Sequence, residues 1–118
     1  MFSIKVEAGF SSAHNLREYK GKCEDLHGHN WKVEAVVRSE KLDPIGMVRD
    51  FKDFKTRLNL LLEELDHKYL NNLEPFKKIN PTSENIAKYI YGRLKKQIPD
   101  LSLITVWENN TSAATYEE

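Results

Sequence analysis

Three of the four histidines in this 118-residue chain are spaced so that their rings can meet on one side of a sheet. His27 and His29 are two residues apart, and residues with that spacing on a β-strand point the same way. His14 is at an even-numbered position, and the segment that precedes it carries its apolar residues at even-numbered positions too. A single histidine on an apolar face is usually a hydrogen-bonded core residue, but three converging neutral imidazoles make a good Zn²⁺ site. Provided that no β-bulge shifts the parity, we expect His14, His27 and His29 to converge.

The only cysteine, Cys23, lies four residues before His27, and this spacing leaves three roles open. As a fourth ligand its thiolate would close a His₃Cys site, in which zinc is structural. Outside the metal site, Cys23 would be a nearby base or nucleophile, and the fourth position would stay open for a substrate oxygen. The third role is that of a buried, inert side chain.

Two further groups could take part in chemistry. Asp66 and His67 follow a predicted helix, and a carboxylate can orient an imidazole for general acid–base catalysis. Taken alone, this pair fits better a histidine that interacts with the helix dipole beside a solvated aspartate.

Glu108 ends an apolar strand with the parity of Ile104 and Val106. A carboxylate there can anchor a ligand through two parallel N–H donors, or it can lie at the surface.

Two alternating segments must position the histidines. Residues 2–13 carry apolar side chains at the even positions, which predicts a half-buried strand. A second run has the parity of His27 and His29, its apolar residues being Trp31, Val33, Ala35 and Val37. The turn-forming residues 43–46 end this second strand.

After Asp50, the apolar residues recur every three or four positions, as they do on one face of an α-helix, and Asp50 is the expected N-cap. One face of this predicted helix carries Phe51, Phe54, Leu58, Leu61, Leu62 and Leu65. A second helix is predicted to begin at residues 80–82 and to end before Pro99, with Ile86, Ile90 and Leu94 on one face. Residues 101–108 and 113–117 are predicted strands.

The element order ββααββ predicts an α+β fold for a single domain over residues 1–118. In that fold, two helices cover one face of a four-stranded, mainly antiparallel sheet. The other face of the first strand is polar, as expected for a sheet with one side in water. The edges of a small sheet must be blunted or paired with another chain, which favours oligomerisation.

Charge and hydropathy exclude other classes of protein. Lys plus Arg is 18 and Asp plus Glu is 18, so the chain lacks the basic surface of proteins that bind nucleic acid through its phosphates. No apolar run is long enough to cross a membrane, and the first residues lack the features of a signal peptide. A single cysteine fits a reducing compartment. We therefore expect a cytoplasmic protein with no nucleic-acid or membrane partner.

Six motifs, in order along the chain, resemble the 6-pyruvoyltetrahydropterin synthase superfamily. They are FSSAH at 10–14, CEDLHGHN at 23–30, GMVRDF at 46–51, LDHKYLN at 65–71, PTSEN at 81–85 and VWE at 106–108. The resemblance implies the tunnelling fold, or T-fold. In that architecture, trimers close a twelve-stranded barrel and two trimers stack into a hexamer.

The resemblance also implies a role for each candidate residue. His14, His27 and His29 would hold zinc. Cys23 would be the catalytic cysteine rather than a ligand, and Asp66 and His67 would be its proton-relay partners. Glu108 would bind the pterin in a pocket shared between subunits.

Within this superfamily, the chain resembles the 6-carboxytetrahydropterin synthases in its short length and in having only three residues between Cys23 and His27. The resemblance then implies a zinc-dependent lyase acting on 7,8-dihydroneopterin triphosphate in queuosine or archaeosine synthesis. The triphosphate would need cations, and Arg17, Lys20 and Lys22 in the loop before Cys23 are candidates, although these residues fit a solvated basic loop better. The alternatives are 6-pyruvoyltetrahydropterin synthase activity and, more distantly, a non-catalytic zinc-binding module.

Overall fold

The computed structural model describes residues 1–118 and has the predicted element order, with four strands and two α-helices. The strands are β1 (Phe2–His14), β2 (His27–Ser39), β3 (Leu101–Asn109) and β4 (Ser112–Glu117). The helices are α1 (Phe51–Glu63) and α2 (Ser83–Lys95). All neighbouring strands are antiparallel, in the order β1-β2-β3-β4. The α+β fold predicted from the sequence is confirmed, and none of the helices is long and apolar enough to cross a membrane.

The pairing of β1 with β2 sets the position of the histidines. It runs without a register shift from Phe2 opposite Ser39 to His14 opposite His27. Ser12 lies opposite His29 in the same ladder. Strand β2 therefore begins at His27, before the apolar run that marks it in the sequence, and both of its histidines are part of the sheet. Because no bulge interrupts this pairing, the parity of the three histidines is kept.

Each helix begins where a side chain caps it. The Asp50 carboxylate accepts a hydrogen bond from the backbone N–H of Lys52, and the Thr82 hydroxyl accepts one from the N–H of Asn85. Both side chains satisfy N–H groups that have no partner within the first helical turn. Helix α1 ends at Glu63, so Leu65 lies beyond it, although Leu65 is still buried. Two short 3₁₀ turns, Leu70–Asn72 and Glu74–Phe76, occupy the connection between the helices, where the sequence indicated only an interruption.

The core lies between the two helices and the face of the sheet that carries the histidines. Trp31 of β2, Leu58 of α1 and Ile90 of α2 are among its fully buried side chains. Burying each such side chain stabilises the fold by roughly 1.5–3 kcal/mol. On the opposite face of the sheet, Lys5 forms ion pairs with Glu7 and Glu34. This contrast fixes which side of the sheet the histidines face.

Arg17 holds the loop between β1 and β2 against the segment that connects the helices. Its guanidinium donates hydrogen bonds to the backbone carbonyls of Asn71 and Phe76 through Nη2, at 3.1 and 2.8 Å, and of Ile79 through Nη1, at 3.1 Å. Its backbone N–H donates to the Asn80 side chain. Although the resemblance made Arg17 a candidate triphosphate ligand, the structure gives it a structural role, because three carbonyls occupy its guanidinium.

Paired amides attach the same loop to the first 3₁₀ turn. The backbone N–H of Asn15 donates to the Asn71 side-chain oxygen, and the Asn71 amide donates to the Asn15 carbonyl, at 3.1 and 2.8 Å. The Asn15 amide also donates to the carbonyl of Glu24, whose carboxylate accepts the N–H of Leu16. Because Cys23 adjoins Glu24, these bonds determine where its thiol lies.

We expect Arg17→Met to lower the free energy of unfolding by about 1–3 kcal/mol, because three carbonyls lose a charged donor. Urea denaturation followed by circular dichroism measures this change. The matched control is Arg57→Met, since Arg57 pairs with Asp53 on the surface of α1 and such pairs contribute little. Equal losses in the two variants would show that Arg17 is not a structural clamp.

Candidate active site

Three imidazole rings and one carboxylate converge at the end of the β1–β2 hairpin. One potential ligand atom from each of His14, His27, His29 and Glu108 lies within 4.8 Å of all the others. Nε2 of His14 is 3.1 Å from Nε2 of His27. His14 is almost completely buried, with 1% of its surface exposed, whereas the other three residues are partly exposed. The cluster is therefore buried at His14 and partly accessible at its other three members.

Backbone carbonyls fix the tautomers of two of the rings. Nδ1 of His14 is 2.8 Å from the Pro81 carbonyl oxygen, and Nδ1 of His27 is 2.9 Å from that of Asp25. A carbonyl oxygen only accepts hydrogen bonds, so each Nδ1 carries the proton and donates it. In the neutral rings the two Nε2 atoms are then both acceptors and cannot hydrogen-bond to each other. A cation placed between them would satisfy both.

The protonation state of His14 favours the same interpretation. Burial lowers its pKa, against the opposing effect of the hydrogen bond to Pro81. The positive charges of protonated His27 and His29 would lower this pKa further. His14 is therefore a neutral ring near pH 7, and this is the form that binds a metal.

His29 and Glu108 complete the donor set. Nε2 of His29 is buried and has no hydrogen-bond partner, which costs free energy unless another group satisfies it. One carboxylate oxygen of Glu108, Oε1, lies 3.4 Å from Nε2 of His14 and 3.4 Å from Nε2 of His29. Imidazole nitrogens and carboxylate oxygens are ligands of Zn²⁺ and related divalent metals. These residues could therefore hold such an ion.

Cys23 lies outside this cluster. Its side chain is exposed, so the role of a buried, inert thiol is excluded. Its sulfur is not among the converging ligand atoms, so the structure does not form a closed His₃Cys site. Cys23 instead lines an open cavity of about 280 Å³ together with Tyr19, Lys20, Lys22, Glu24 and Asp25. Of the three candidate phosphate ligands, the two lysines thus lie beside Cys23.

Asp66 and His67 contact each other directly. Oδ2 of Asp66 is 2.8 Å from Nδ1 of His67, and Oδ1 accepts the backbone N–H of Ser11 at 2.8 Å. The Ser11 N–H, and then the hydrogen bond from His67, hold the pKa of Asp66 below its ordinary value. Asp66 is thus a carboxylate at neutral pH and orients the imidazole. The alternative in which His67 interacts with the helix dipole does not describe this arrangement, because α1 ends at Glu63.

The Asp66–His67 pair lies along the outer edge of β1. The Ser11 N–H donates to the Asp66 carboxylate, and the Ser11 carbonyl accepts the backbone N–H of His67 at an N–O distance of 2.6 Å. The N–H and the carbonyl of Ser11 therefore both face away from β2. The backbone of His67 has a φ of 54°, a left-handed conformation that is uncommon for residues other than glycine. Its side chain is 82% exposed, and it is not part of the imidazole cluster. His67 is therefore accessible to another molecule.

The carbonyls of Pro81 and Asp25 are functional groups that sequence reasoning missed. Side-chain types and spacing carry no information about which carbonyl accepts a given ring N–H. The nearest available signal was the PTSEN motif, which begins at Pro81.

Comparisons with known proteins agree with this geometry. Residues 3–118 match the family described as 6-pyruvoyl tetrahydropterin synthase. A 6-carboxy-5,6,7,8-tetrahydropterin synthase from Synechocystis is 39% identical, over 98% of this chain and 93% of its own length. A dihydroneopterin monophosphate aldolase from Pyrococcus furiosus is 37% identical, over 91% and 90%.

The fold is also found in a solved structure. The structure of Caenorhabditis elegans 6-pyruvoyl tetrahydropterin synthase superposes with a TM-score of 0.87 at 29% identity, covering 99% of this chain and 95% of the other. Both the family match and the curated relatives extend over nearly the whole chain. The chain belongs to the 6-pyruvoyl tetrahydropterin synthase family.

Proposed function

We propose that this protein is a zinc-dependent lyase. Its substrates would be 7,8-dihydroneopterin triphosphate and one water molecule, and its products 6-carboxy-5,6,7,8-tetrahydropterin, acetaldehyde and triphosphate. The reaction would serve queuosine or related deazapurine biosynthesis. The observation that supports the proposal best is the convergence of three imidazoles beside an accessible carboxylate. The 39% sequence identity to the Synechocystis 6-carboxy-5,6,7,8-tetrahydropterin synthase supports the choice of reaction.

His14, His27 and His29 would hold the zinc ion. The donor set fits, because the Nε2 atoms of His14 and His27 face each other as acceptors and that of His29 has no other partner. When bound, zinc lowers the pKa of the substrate's side-chain hydroxyls and stabilises negative charge that develops on them. The Pro81 and Asp25 carbonyls would keep two of the rings oriented towards the ion.

The remaining residues would move protons and position the pterin. The exposed thiol of Cys23 would, as a thiolate, carry protons between the pterin ring and its side chain. Asp66 fixes Nδ1 of His67 as a donor, which leaves Nε2 to exchange a proton with the substrate. Glu108 would accept N–H groups of the pterin and orient the reacting carbons. Lys20 and Lys22 would face the triphosphate from the cavity that they share with Cys23.

The active form would be a hexamer built from two trimers, with sites shared between subunits. Two observations support this assembly. Strands β1 and β4 are both edges of the sheet, and β4 and the part of β1 before Ser11 can pair with further chains. Asp66 and His67 lie along the β1 edge, where an adjoining chain would meet them. We further propose a reducing, cytoplasmic location, in which the lone thiol of Cys23 stays free.

Two related reactions are the alternatives. A 6-pyruvoyl tetrahydropterin synthase would use the same substrate and metal but would eliminate triphosphate without cleaving the side chain. The similarity to the C. elegans structure favours it as second candidate. A neopterin aldolase is suggested by the Pyrococcus relative. The family resemblance implies a glutamate in place of the catalytic cysteine in its aldolase-like members, and Cys23 of this chain therefore favours the lyase.

Mass spectrometry of the products tests the proposal. The zinc-loaded protein is incubated with 7,8-dihydroneopterin triphosphate, and we expect 6-carboxytetrahydropterin together with acetaldehyde. A pyruvoyl product would contradict the proposed reaction and support the second candidate. Tightly bound zinc without any turnover would support a non-catalytic zinc-binding module instead.

We expect Cys23→Ala to retain zinc and to lose turnover by a factor of about 10² or more, because a positioned acid–base group is removed. Zinc content by elemental analysis and the product assay measure the two effects. His14→Ala is the matched contrast, since it should lose zinc as well as turnover. Loss of zinc in Cys23→Ala would indicate a thiolate ligand, and full turnover in that variant would contradict the role of Cys23.

A further inference from the structure

The Glu108 carboxylate has no partner other than the imidazole nitrogens. Its Oε1 is 3.4 Å from Nε2 of both His14 and His29. It forms no other ion pair and accepts no hydrogen bond from any donor in the chain. About a third of the side chain is exposed, so solvent could satisfy the carboxylate if it turned outward. It points inward instead.

An inward carboxylate is unfavourable here unless a cation balances it. Nδ1 of His14 donates to Pro81, so Nε2 of the neutral ring is a lone pair facing an anionic oxygen. Nε2 of His29 has no hydrogen-bond partner. A cation that contacts all of these atoms converts repulsion into attraction. The carboxylate thus has the position of a ligand.

Three separations between the ligand atoms are close to those of a tetrahedral ligand set. Ligand atoms at about 2.0–2.1 Å from a four-coordinate zinc ion are about 3.3–3.4 Å from one another. The three separations known between ligand atoms are 3.1 Å for His14–His27, 3.4 Å for His14–Glu108 and 3.4 Å for His29–Glu108. These three separations match a tetrahedral set in which Glu108 takes the fourth corner, and all four ligand atoms lie within 4.8 Å of one another.

Glu108 keeps the parity of Ile104 and Val106, and it lies at a local irregularity of β3. The β2–β3 ladder ends at the pair Lys32–Trp107, and the β3–β4 register shifts between Trp107 and Asn109. Glu108 is the residue at this shift, and β-bulges occur often next to functional sites. The Asn109 side chain accepts hydrogen bonds from the N–H and hydroxyl of Thr111, which fixes the following turn.

We propose that Glu108 is the fourth ligand of the metal in the substrate-free protein and that substrate binding displaces it. A substrate hydroxyl oxygen would take the vacated corner, and the released carboxylate would then accept N–H groups of the pterin. The proposal rests on the function proposed above. It goes further by giving Glu108 two successive roles, since one carboxylate cannot fill both at once. Substrate and carboxylate would compete for the same coordination position.

The test measures metal binding without substrate. Affinities for Zn²⁺ and Co²⁺ are determined by competition with a chelator, and the visible absorption of bound Co²⁺ reports its coordination. We expect Glu108→Gln to weaken binding about tenfold or more and to change the Co²⁺ spectrum, because a charged ligand is lost. The matched control is Glu24→Gln. The Glu24 carboxylate is 3.8 Å from Nδ1 of His27, the ring nitrogen that is bonded to Asp25 rather than directed at the cluster.

We expect Glu24→Gln to keep the wild-type Co²⁺ spectrum. Equal affinities and identical spectra for wild type and Glu108→Gln would overturn the proposal, as would equal effects of the two variants. A second measurement uses the wild-type protein and does not depend on how the variants fold. Adding 7,8-dihydroneopterin to the Co²⁺-loaded protein should change its spectrum, and an unchanged spectrum with the pterin bound would also overturn displacement.

The product assay distinguishes failure of this proposal from failure of the proposed function. If Glu108→Gln weakens metal binding but the wild-type protein forms no lyase product, Glu108 remains the fourth ligand and the lyase assignment fails. If the carboxytetrahydropterin forms while Glu108→Gln binds metal as wild type does, the lyase assignment stands and the ligand role of Glu108 fails.

Discussion

The uninterrupted pairing of β1 with β2 is the constraint on which the site depends. It places His14 directly opposite His27 and Ser12 opposite His29, so that all three rings leave the same face of the hairpin. A slip of one residue in a strand would move its side chains to the opposite face. The core prevents such a slip. Phe10 and Trp31, which stack on each other two residues further along the ladder from Ser12 and His29, are buried on that face. The packing of the core thus determines how the three imidazole rings are arranged.

The elements outside the hairpin orient what the hairpin brings together. The start of α2 supplies the Pro81 carbonyl to His14, and Thr82 caps the helix immediately after it. The loop between β1 and β2 supplies the Asp25 carbonyl to His27. Arg17 holds this loop against the turns between the helices. The rings are therefore oriented by backbone groups whose own positions are fixed by tertiary hydrogen bonds, which is how proteins keep metal ligands preorganised.

Much of this arrangement could be predicted from the sequence, because it follows from periodicity. Alternation identified the strands and the common face of the three histidines, and the helical period with Asp50 and Thr82 identified both helices. Contacts between distant polar groups do not follow from periodicity. Nothing in the spacing indicates that the Arg17 guanidinium binds backbone carbonyls rather than phosphate, or that Asp66 contacts the N–H of Ser11. The parity of Glu108 with Ile104 and Val106 indicated the face of the sheet on which it lies, but not that its carboxylate lies 3.4 Å from His14 and His29.

The central claim is that three imidazoles hold a metal ion and that Cys23 lies outside its coordination sphere. X-ray absorption at the zinc edge of the zinc-loaded protein tests this most directly, because it separates nitrogen and oxygen ligands from sulfur by distance. We expect only nitrogen and oxygen neighbours at about 2.0–2.1 Å from the zinc ion, with the multiple-scattering pattern of imidazole rings. A sulfur neighbour at about 2.3 Å, or a spectrum without imidazole scattering, would contradict it.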